Sequence, residues 1–228
     1  MYNWLNIIQN SLLPPTCILC GHAGWQSLDL CHTCYQQLAR NSSGCARCAG
    51  TLNNNTLLCG NCLAQPPAFD STHAPFMYQA ELRYLILGLK TNAQYQNARL
   101  LGTLLAEQLS KTELPDCIIP VPLHPSRYRE RGFYQSIEIA KTTAKVLQIP
   151  VDVSICIRHR DTPHQTSLTA KQRRSNIKNA FTVLKPVQGL HIAIIDDVMT
   201  TGSTVRELAN CLKNAGAKCV EVWVCARA

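Results

Sequence analysis

Apolar and polar positions alternate in two different ways along the chain. From about Phe69 onward, short apolar runs are separated by longer segments whose apolar residues recur every three or four positions, the spacing that places one stripe on a helix. Glu81 to Lys90 and Asn97 to Leu109 read as helices, the second striped by Leu100, Leu101, Leu104, Leu105 and Leu109. Cys117 to Val121 reads as a buried strand, Gln135 to Leu147 as a helix and Val151 to Ile157 as a strand. Phe181 to Leu184, Ile192 to Asp196 and Cys219 to Val224 add strands, with a helix from about Thr204 to Asn214. Arg158 to Asn179 is polar and basic without apolar periodicity, which predicts a long loop. Such alternation predicts the α/β class, a parallel sheet flanked by helices.

The first 68 residues follow another rule. Leu5, Ile8 and Leu12 share one helical face, and Pro14 and Pro15 end that pattern. Then come four CxxC pairs, Cys17/Cys20, Cys31/Cys34, Cys45/Cys48 and Cys59/Cys62, each starting 14 residues after the one before. A CxxC turn supplies half of a tetrahedral four-sulfur zinc site, so four of them predict two structural zinc ions with no open coordination position. His22 and His32 are surplus to two such sites. Equal ten-residue gaps between the pairs fit either sequential ribbons or an interleaved cross-brace; shorter loops cost slightly less to close and favour sequential pairing. Ala64 to Ala68, with Pro66 and Pro67, reads as a linker. The expected organisation is a helix and double zinc ribbon over residues 1–66, then an α/β domain over residues 69–228.

Charge sharpens this division. Of the formal net charge of +8, the first 70 residues contribute nothing, whereas Arg127 to Lys178 holds 11 basic and 4 acidic residues. No run approaches the roughly 18 to 20 apolar residues of a membrane span. No Lys or Arg precedes Arg40, so the basic start of a secretory signal is missing. The expectation is a soluble cytoplasmic protein, where reduced thiols favour metal over disulfides.

The most informative stretch is Ile192 to Thr204, IAIIDDVMTTGST. It predicts a strand, two carboxylates at its C-terminal end, and a turn opening a helix, the place where open α/β sheets bind ligands. Thr200, Thr201, Gly202, Ser203 and Thr204 offer backbone N–H groups and hydroxyls to a phosphate. A Walker loop would need a Lys before the Ser or Thr, and a dinucleotide fingerprint would need spaced glycines. Asp196 and Asp197 are acceptors that suit paired ribose hydroxyls.

These thirteen residues resemble the phosphoribosyl pyrophosphate motif of type I phosphoribosyltransferases, in which two acids hold the ribose hydroxyls and the loop wraps the 5-phosphate. Nearly the whole chain resembles one branch of that superfamily, the ComF/GntX family of competence-associated proteins. The likeness rests on the CxxC knuckles after a Leu-Pro segment, on PVPLHPSRYRERGFYQS at Pro120 to Ser136, and on the run Arg158, Thr162, Gln165, Leu168, Arg173, Asn176, Ala180 and Phe181. Tyr134 stands where the family pattern has Asn, which puts a polar contact there in question. The resemblance implies a pyrophosphate loop containing Pro122, Leu123 and His124, followed by Arg127 and Arg131. Arginine forks suit pyrophosphate oxygens, although Arg127, Arg129 and Arg131 also fit a solvated basic face, and His124 an ordinary surface histidine. It further implies a mobile catalytic loop whose Arg158 and Arg173 stabilise departing pyrophosphate, and magnesium bound together with phosphoribosyl pyrophosphate. Lys90 ends its helix at a family-typical position, and a helix C-terminus attracts lysine on dipole grounds as well.

Two functional classes follow. One is a phosphoribosyltransferase associated with DNA uptake, releasing pyrophosphate from ribose C1. Its base-recognition hood would come from residues 70–115, the mobile loop or the ribbon, since only four residues follow the last expected strand. The other is a non-catalytic protein that reuses the fold to bind single-stranded DNA or to scaffold DNA-uptake machinery through its basic window. Against that second class, aromatic stacking residues are sparse in that window: Tyr128, Phe133 and Tyr134 are the only ones.

Overall fold

The computed structural model describes residues 14–52, 56–109, 113–161 and 177–228. The expected helix through Leu5, Ile8 and Leu12, and the loop residues from Thr162 to Asn176 including Arg173, lie outside the described residues.

In chain order the elements are α1 (His32–Gln37), α2 (Gly60–Ala64), β1 (Ser71–His73), β2 (Phe76–Met77), α3 (Ala80–Asn92) and α4 (Tyr95–Leu109). They continue with β3 (Cys117–Pro120), α5 (Pro125–Arg131), α6 (Gln135–Leu147), β4 (Cys156–Arg158), β5 (Phe181–Val183), β6 (His191–Met199), α7 (Ser203–Asn214) and β7 (Cys219–Arg227). The main sheet is parallel, ordered β1-β7-β6-β3, with β2 pairing the distal part of β7.

Strand periodicity divides the core. Ile192 and Ile194 of β6 and Val220, Val222 and Val224 of β7 pack on one face with Val205, Leu208 and Leu212 of α7. Ala193, Ile195 and Trp223 turn to the other face, against α3, α4 and α6 through Leu85, Leu89, Leu101, Leu104 and Ile139. Both faces of the central strands are thus covered, which explains why they read as continuous apolar runs. Trp223 is wholly buried, and truncating such a residue costs about 3 to 5 kcal/mol.

The cysteine-rich segment docks along the β2 edge. Arg40 forms an antiparallel bridge with Phe76, and its guanidinium stacks on the rings of Tyr35 and Phe76. Leu28, Leu30 and Leu38 join the α3/α4/α6 core, whereas Ala49 joins the opposite core.

Two expectations are corrected. The strand expected over Val151 to Ile157 is divided: Val151 makes one parallel bridge with Ile118, and the chain then turns. Asp152 Oδ1 accepts from the Ser154 N–H at 2.8 Å and its hydroxyl at 2.6 Å, a local competitor to strand pairing. Beyond that turn, β4 pairs β5 antiparallel, as a separate two-stranded ribbon. The expected parallel sheet flanked by helices is the main sheet, and these two strands lie outside it. The strand expected over Ile192 to Asp196 runs on to Met199, because β6 stays paired with β7 as far as Arg227; the two carboxylates lie within the strand rather than after it. Among the described residues no helix is long and apolar enough to cross a membrane.

Candidate functional site

Cys17, Cys20, Cys31 and Cys34 form one group of four ligands, and Cys45, Cys48, Cys59 and Cys62 another, with the ligand atoms in each group within 4.8 Å of one another. Pairing is therefore sequential. All thirteen cysteines are free thiols, and the Cys20–Cys31 and Cys48–Cys59 sulfurs stand 3.6 and 3.7 Å apart. That is far beyond a disulfide and close to the roughly 3.8 Å edge of a tetrahedron of sulfurs each about 2.3 Å from zinc. Backbone N–H groups of Cys31, Cys20 and Leu19 outweigh burial and hold the Cys17 thiol at about 6. Those of Cys48, Cys59 and Arg47 do the same for Cys45. The donor sets fit two structural zinc ions. His22 reaches Cys20 Sγ at 3.4 Å through Nδ1, and His32 packs edge-on against Trp25.

At the C-terminal end of β6 a cleft of about 320 Å³ is lined by Tyr78, Lys90 and the run Asp196 to Val205. The sequence-predicted Asp196, Asp197, Thr200, Thr201, Gly202, Ser203 and Thr204 all share it. Gly202 precedes α7 with φ of +71°, and a Cβ there would lie 2.4 Å from the Met199 methyl; glycine satisfies both demands. Its carbonyl accepts from the Arg206 N–H, so the next N–H groups open the helix with positive potential toward the cleft.

The carboxylates are held differently. Asp197 is buried; its Oδ2 pairs with Lys90 Nζ at 2.9 Å, and its Oδ1 accepts from the Val198 N–H at 2.7 Å. Asp196 Oδ1 accepts from Ser136 Oγ and from the Asp197 N–H, both at 2.9 Å. Burial, reinforced by the charge of Asp197, pushes Asp196 up to about 7 despite Lys90. Burial works against the Lys90 ammonium, but Asp197 more than offsets it and leaves its pKa raised. The sequence left Lys90 divided between two readings; the structure places it in the cleft. Sequence reasoning gave Ser136 no role, although it closes the Pro120 to Ser136 segment; the first turn of α6 brings it to Asp196.

Part of the group expected on the pyrophosphate side is brought together. Pro122, Leu123, His124 and Arg158 line one pocket of about 300 Å³ with Tyr134 and Cys156. His124 caps α5, its Nδ1 accepting from the Ser126 N–H at 3.3 Å. Arg127 Nε stands 3.7 Å from Asp161 Oδ1, and Ser126 Oγ donates to Asp161 Oδ2 at 2.7 Å. An acid thus already contacts this basic corner, which net charge alone did not reveal. Burial lowers the Arg158 pKa, offset in part by Tyr134 and Asp161. Arg131 is the last residue of α5, and its side chain lies outside the described set, as does Arg173. At Tyr134, where the family pattern has Asn, the hydroxyl donates to the Val121 carbonyl, so a polar contact exists and ties α6 to the loop.

A double zinc ribbon domain model matches residues 8–63 and a phosphoribosyl transferase domain model residues 134–228. The DNA utilization protein YhgH of Escherichia coli O157:H7 is 36% identical over 227 residues, 94% of this chain and 98% of its own. The chain belongs to the ComF/GntX family. Competence protein F of Haemophilus influenzae is 34% identical over 222 residues, 93% of this chain and 96% of its own. Among solved structures, the allosteric regulatory enzyme of purine biosynthesis aligns with 56% of this ComF/GntX chain and 25% of its own, at 22% identity and a TM-score of 0.40.

Proposed function

We propose that this protein binds phosphoribosyl pyrophosphate with magnesium and acts as a phosphoribosyltransferase in DNA uptake during natural competence. The observation that carries the reading is the single cleft that joins Asp196 and Asp197 to the Thr200 to Thr204 turn at the N-terminus of α7. Ionised carboxylates accept from ribose hydroxyls, and the helix N-terminus takes the 5-phosphate. Lys90 pairs with Asp197 at the cleft wall. Magnesium would share the diphosphate with the carboxylates, while Arg127, Arg131, Arg158 and Arg173 would meet charge on the leaving pyrophosphate. Residues 1–66 would form the ribbon unit and residues 69–228 the ligand-binding unit. The DNA connection rests on the names of the relatives, a DNA utilization protein and a competence protein.

The test supplies phosphoribosyl pyrophosphate, magnesium and a panel of nucleobases, oligonucleotides and single-stranded DNA, and records pyrophosphate release. Release that depends on one acceptor supports the transferase. A donor that is bound but never consumed across the panel overturns turnover and leaves a ligand-responsive scaffold. A donor that is neither bound nor consumed overturns the whole reading.

One observation favours a second role. Tyr95, Tyr128, Phe133 and Tyr134 line a cleft of about 410 Å³ beside the basic corner, with Tyr95 and Tyr128 half exposed. Tyr95 comes from outside the basic window and completes an aromatic set that the window alone lacks. Aromatic faces next to arginines suit single-stranded DNA, whose bases stack and whose phosphates need cations. Tyr128→Ala should weaken binding of a single-stranded oligonucleotide severalfold without altering the affinity for phosphoribosyl pyrophosphate. An equal loss for both ligands, or for neither, contradicts a separate DNA surface.

A further inference from the structure

Far from the cleft, at the N-terminal end of the parallel sheet, β6 begins with His191 and β7 with Cys219, and the two residues are direct partners in register. Glu221 follows two positions along β7, so it shares the face of Cys219. A ring nitrogen of His191, the Cys219 sulfur and a Glu221 carboxylate oxygen all lie within 4.8 Å of one another.

Hydrogen bonding does not account for this arrangement. His191 Nε2 is buried and has no hydrogen-bond partner, although it faces Glu221 Oε1 at 3.6 Å. That separation is too long for a hydrogen bond. It is close to the roughly 3.3 to 3.5 Å between a nitrogen and an oxygen on a tetrahedral zinc ion with bonds of about 2.0 to 2.2 Å. The other carboxylate oxygen is fixed from outside: Oε2 accepts from Trp223 Nε1 at 3.0 Å and lies 3.6 Å from His73 Nε2. Metal-binding carboxylates are commonly oriented by such outer partners.

We propose that His191, Cys219 and Glu221 form a third metal site, for a borderline-soft divalent ion such as zinc, separate from the two ribbons. One imidazole, one thiolate and one carboxylate make a mixed donor set suited to zinc. His73 and Trp223 act as positioning residues for Glu221. Asp70 Oδ2, held by Lys213 Nζ at 2.7 Å and by the Val220 N–H at 2.8 Å, stands near Cys219.

Five residues of strand separate His191 from Asp196, about 17 Å at the usual rise. The site therefore stands apart from the phosphoribosyl cleft. Because its ligands come from β6 and β7, an ion here would clamp the two central strands at their N-terminal ends, with a fourth coordination position open to water.

The experiment equilibrates the full-length protein with excess zinc, removes unbound metal and counts zinc per chain, in the wild type and in Cys219→Ser and His191→Asn. Each variant should hold one ion fewer than the wild type, while Cys45→Ser, which touches only a ribbon, should lose one ion independently, so that the double variant Cys45→Ser/Cys219→Ser loses two. The readout is a difference between proteins, so it does not depend on how fully the ribbons load. Equal zinc content in the wild type and the folded Cys219→Ser protein overturns the site. If His191→Asn fails to fold by circular dichroism, Cys219→Ser, which exchanges a single side-chain atom, decides the question.

Discussion

Burial and the neighbouring charge of Asp197 raise Asp196 to about 7, so near neutral pH its carboxyl is divided between protonated and ionised forms. In the unfolded chain it would titrate near 3.9. A carboxyl whose folded pKa is raised favours the folded state fully below about pH 4, and that contribution is lost as pH rises through 7. Asp196→Asn removes the penalty and should be more stable than the wild type at pH 8 by roughly 1 to 2 kcal/mol, and melt correspondingly higher, since this residue is only partly shielded from the cleft. At pH 4 the two should differ little; calorimetric melting at both pH values checks this, and a variant less stable at pH 8 contradicts it. Binding runs the other way, because only the ionised form accepts from two ribose hydroxyls. The wild-type affinity for phosphoribosyl pyrophosphate should therefore strengthen between pH 6 and 8, with proton release on binding. The acid pair was legible in the sequence because two adjacent carboxylates after an apolar strand have few structural uses. Lys90 was not decided there, because a lysine closing a helix satisfies the helix dipole as readily as it satisfies a distant acid. Only the approach of α3 to β6 separates the two.

At the scale of elements, Arg227 links the second ribbon to the start of the Thr200 to Thr204 turn. Its Nε donates to the Cys48 carbonyl at 3.1 Å and its Nη1 to the Met199 carbonyl at 2.8 Å, with Thr200 also accepting from it. The zinc knuckle and the Thr200 to Thr204 turn are thus held by one side chain at the end of β7. Arg227→Gln should leave both ribbon ions in place yet weaken phosphoribosyl pyrophosphate about tenfold, as expected when charged hydrogen bonds to a positioned turn are lost. Titration calorimetry beside a zinc count checks it; unchanged affinity contradicts the coupling. Helix α6 was read from the sequence with its observed bounds, because its apolar positions repeat cleanly and its ends coincide with changes in that pattern. Val151 to Ile157 failed because Val151, Val153, Ile155 and Ile157 alternate as a strand would, while the Asp152–Ser154 turn that redirects them is a local hydrogen-bond choice invisible to periodicity.

Over the whole molecule, the four equally spaced CxxC pairs foretold the ribbons, yet their spacing could not show that the two ribbons contribute to opposite cores. That depends on the Arg40 bridge to the sheet edge. Each four-thiolate zinc site carries a formal charge of about −2, so the ribbon end becomes acidic while Arg127 to Lys178 keeps its excess of seven positive charges. Single-stranded DNA should accordingly bind with strong salt dependence; three phosphate contacts imply a roughly twentyfold loss between about 50 and about 200 mM salt. A salt-independent affinity in a fluorescence titration contradicts binding through the basic window. In the proposed function, Asp196 and Asp197 hold the ribose of phosphoribosyl pyrophosphate above the turn at α7. Isothermal titration of the magnesium complex into the wild type and into Asp196→Asn/Asp197→Asn tests it most directly. One molecule per chain should bind the wild type, and the affinity should fall by about a hundredfold or more in the double variant; equal affinity in the two proteins would contradict the account.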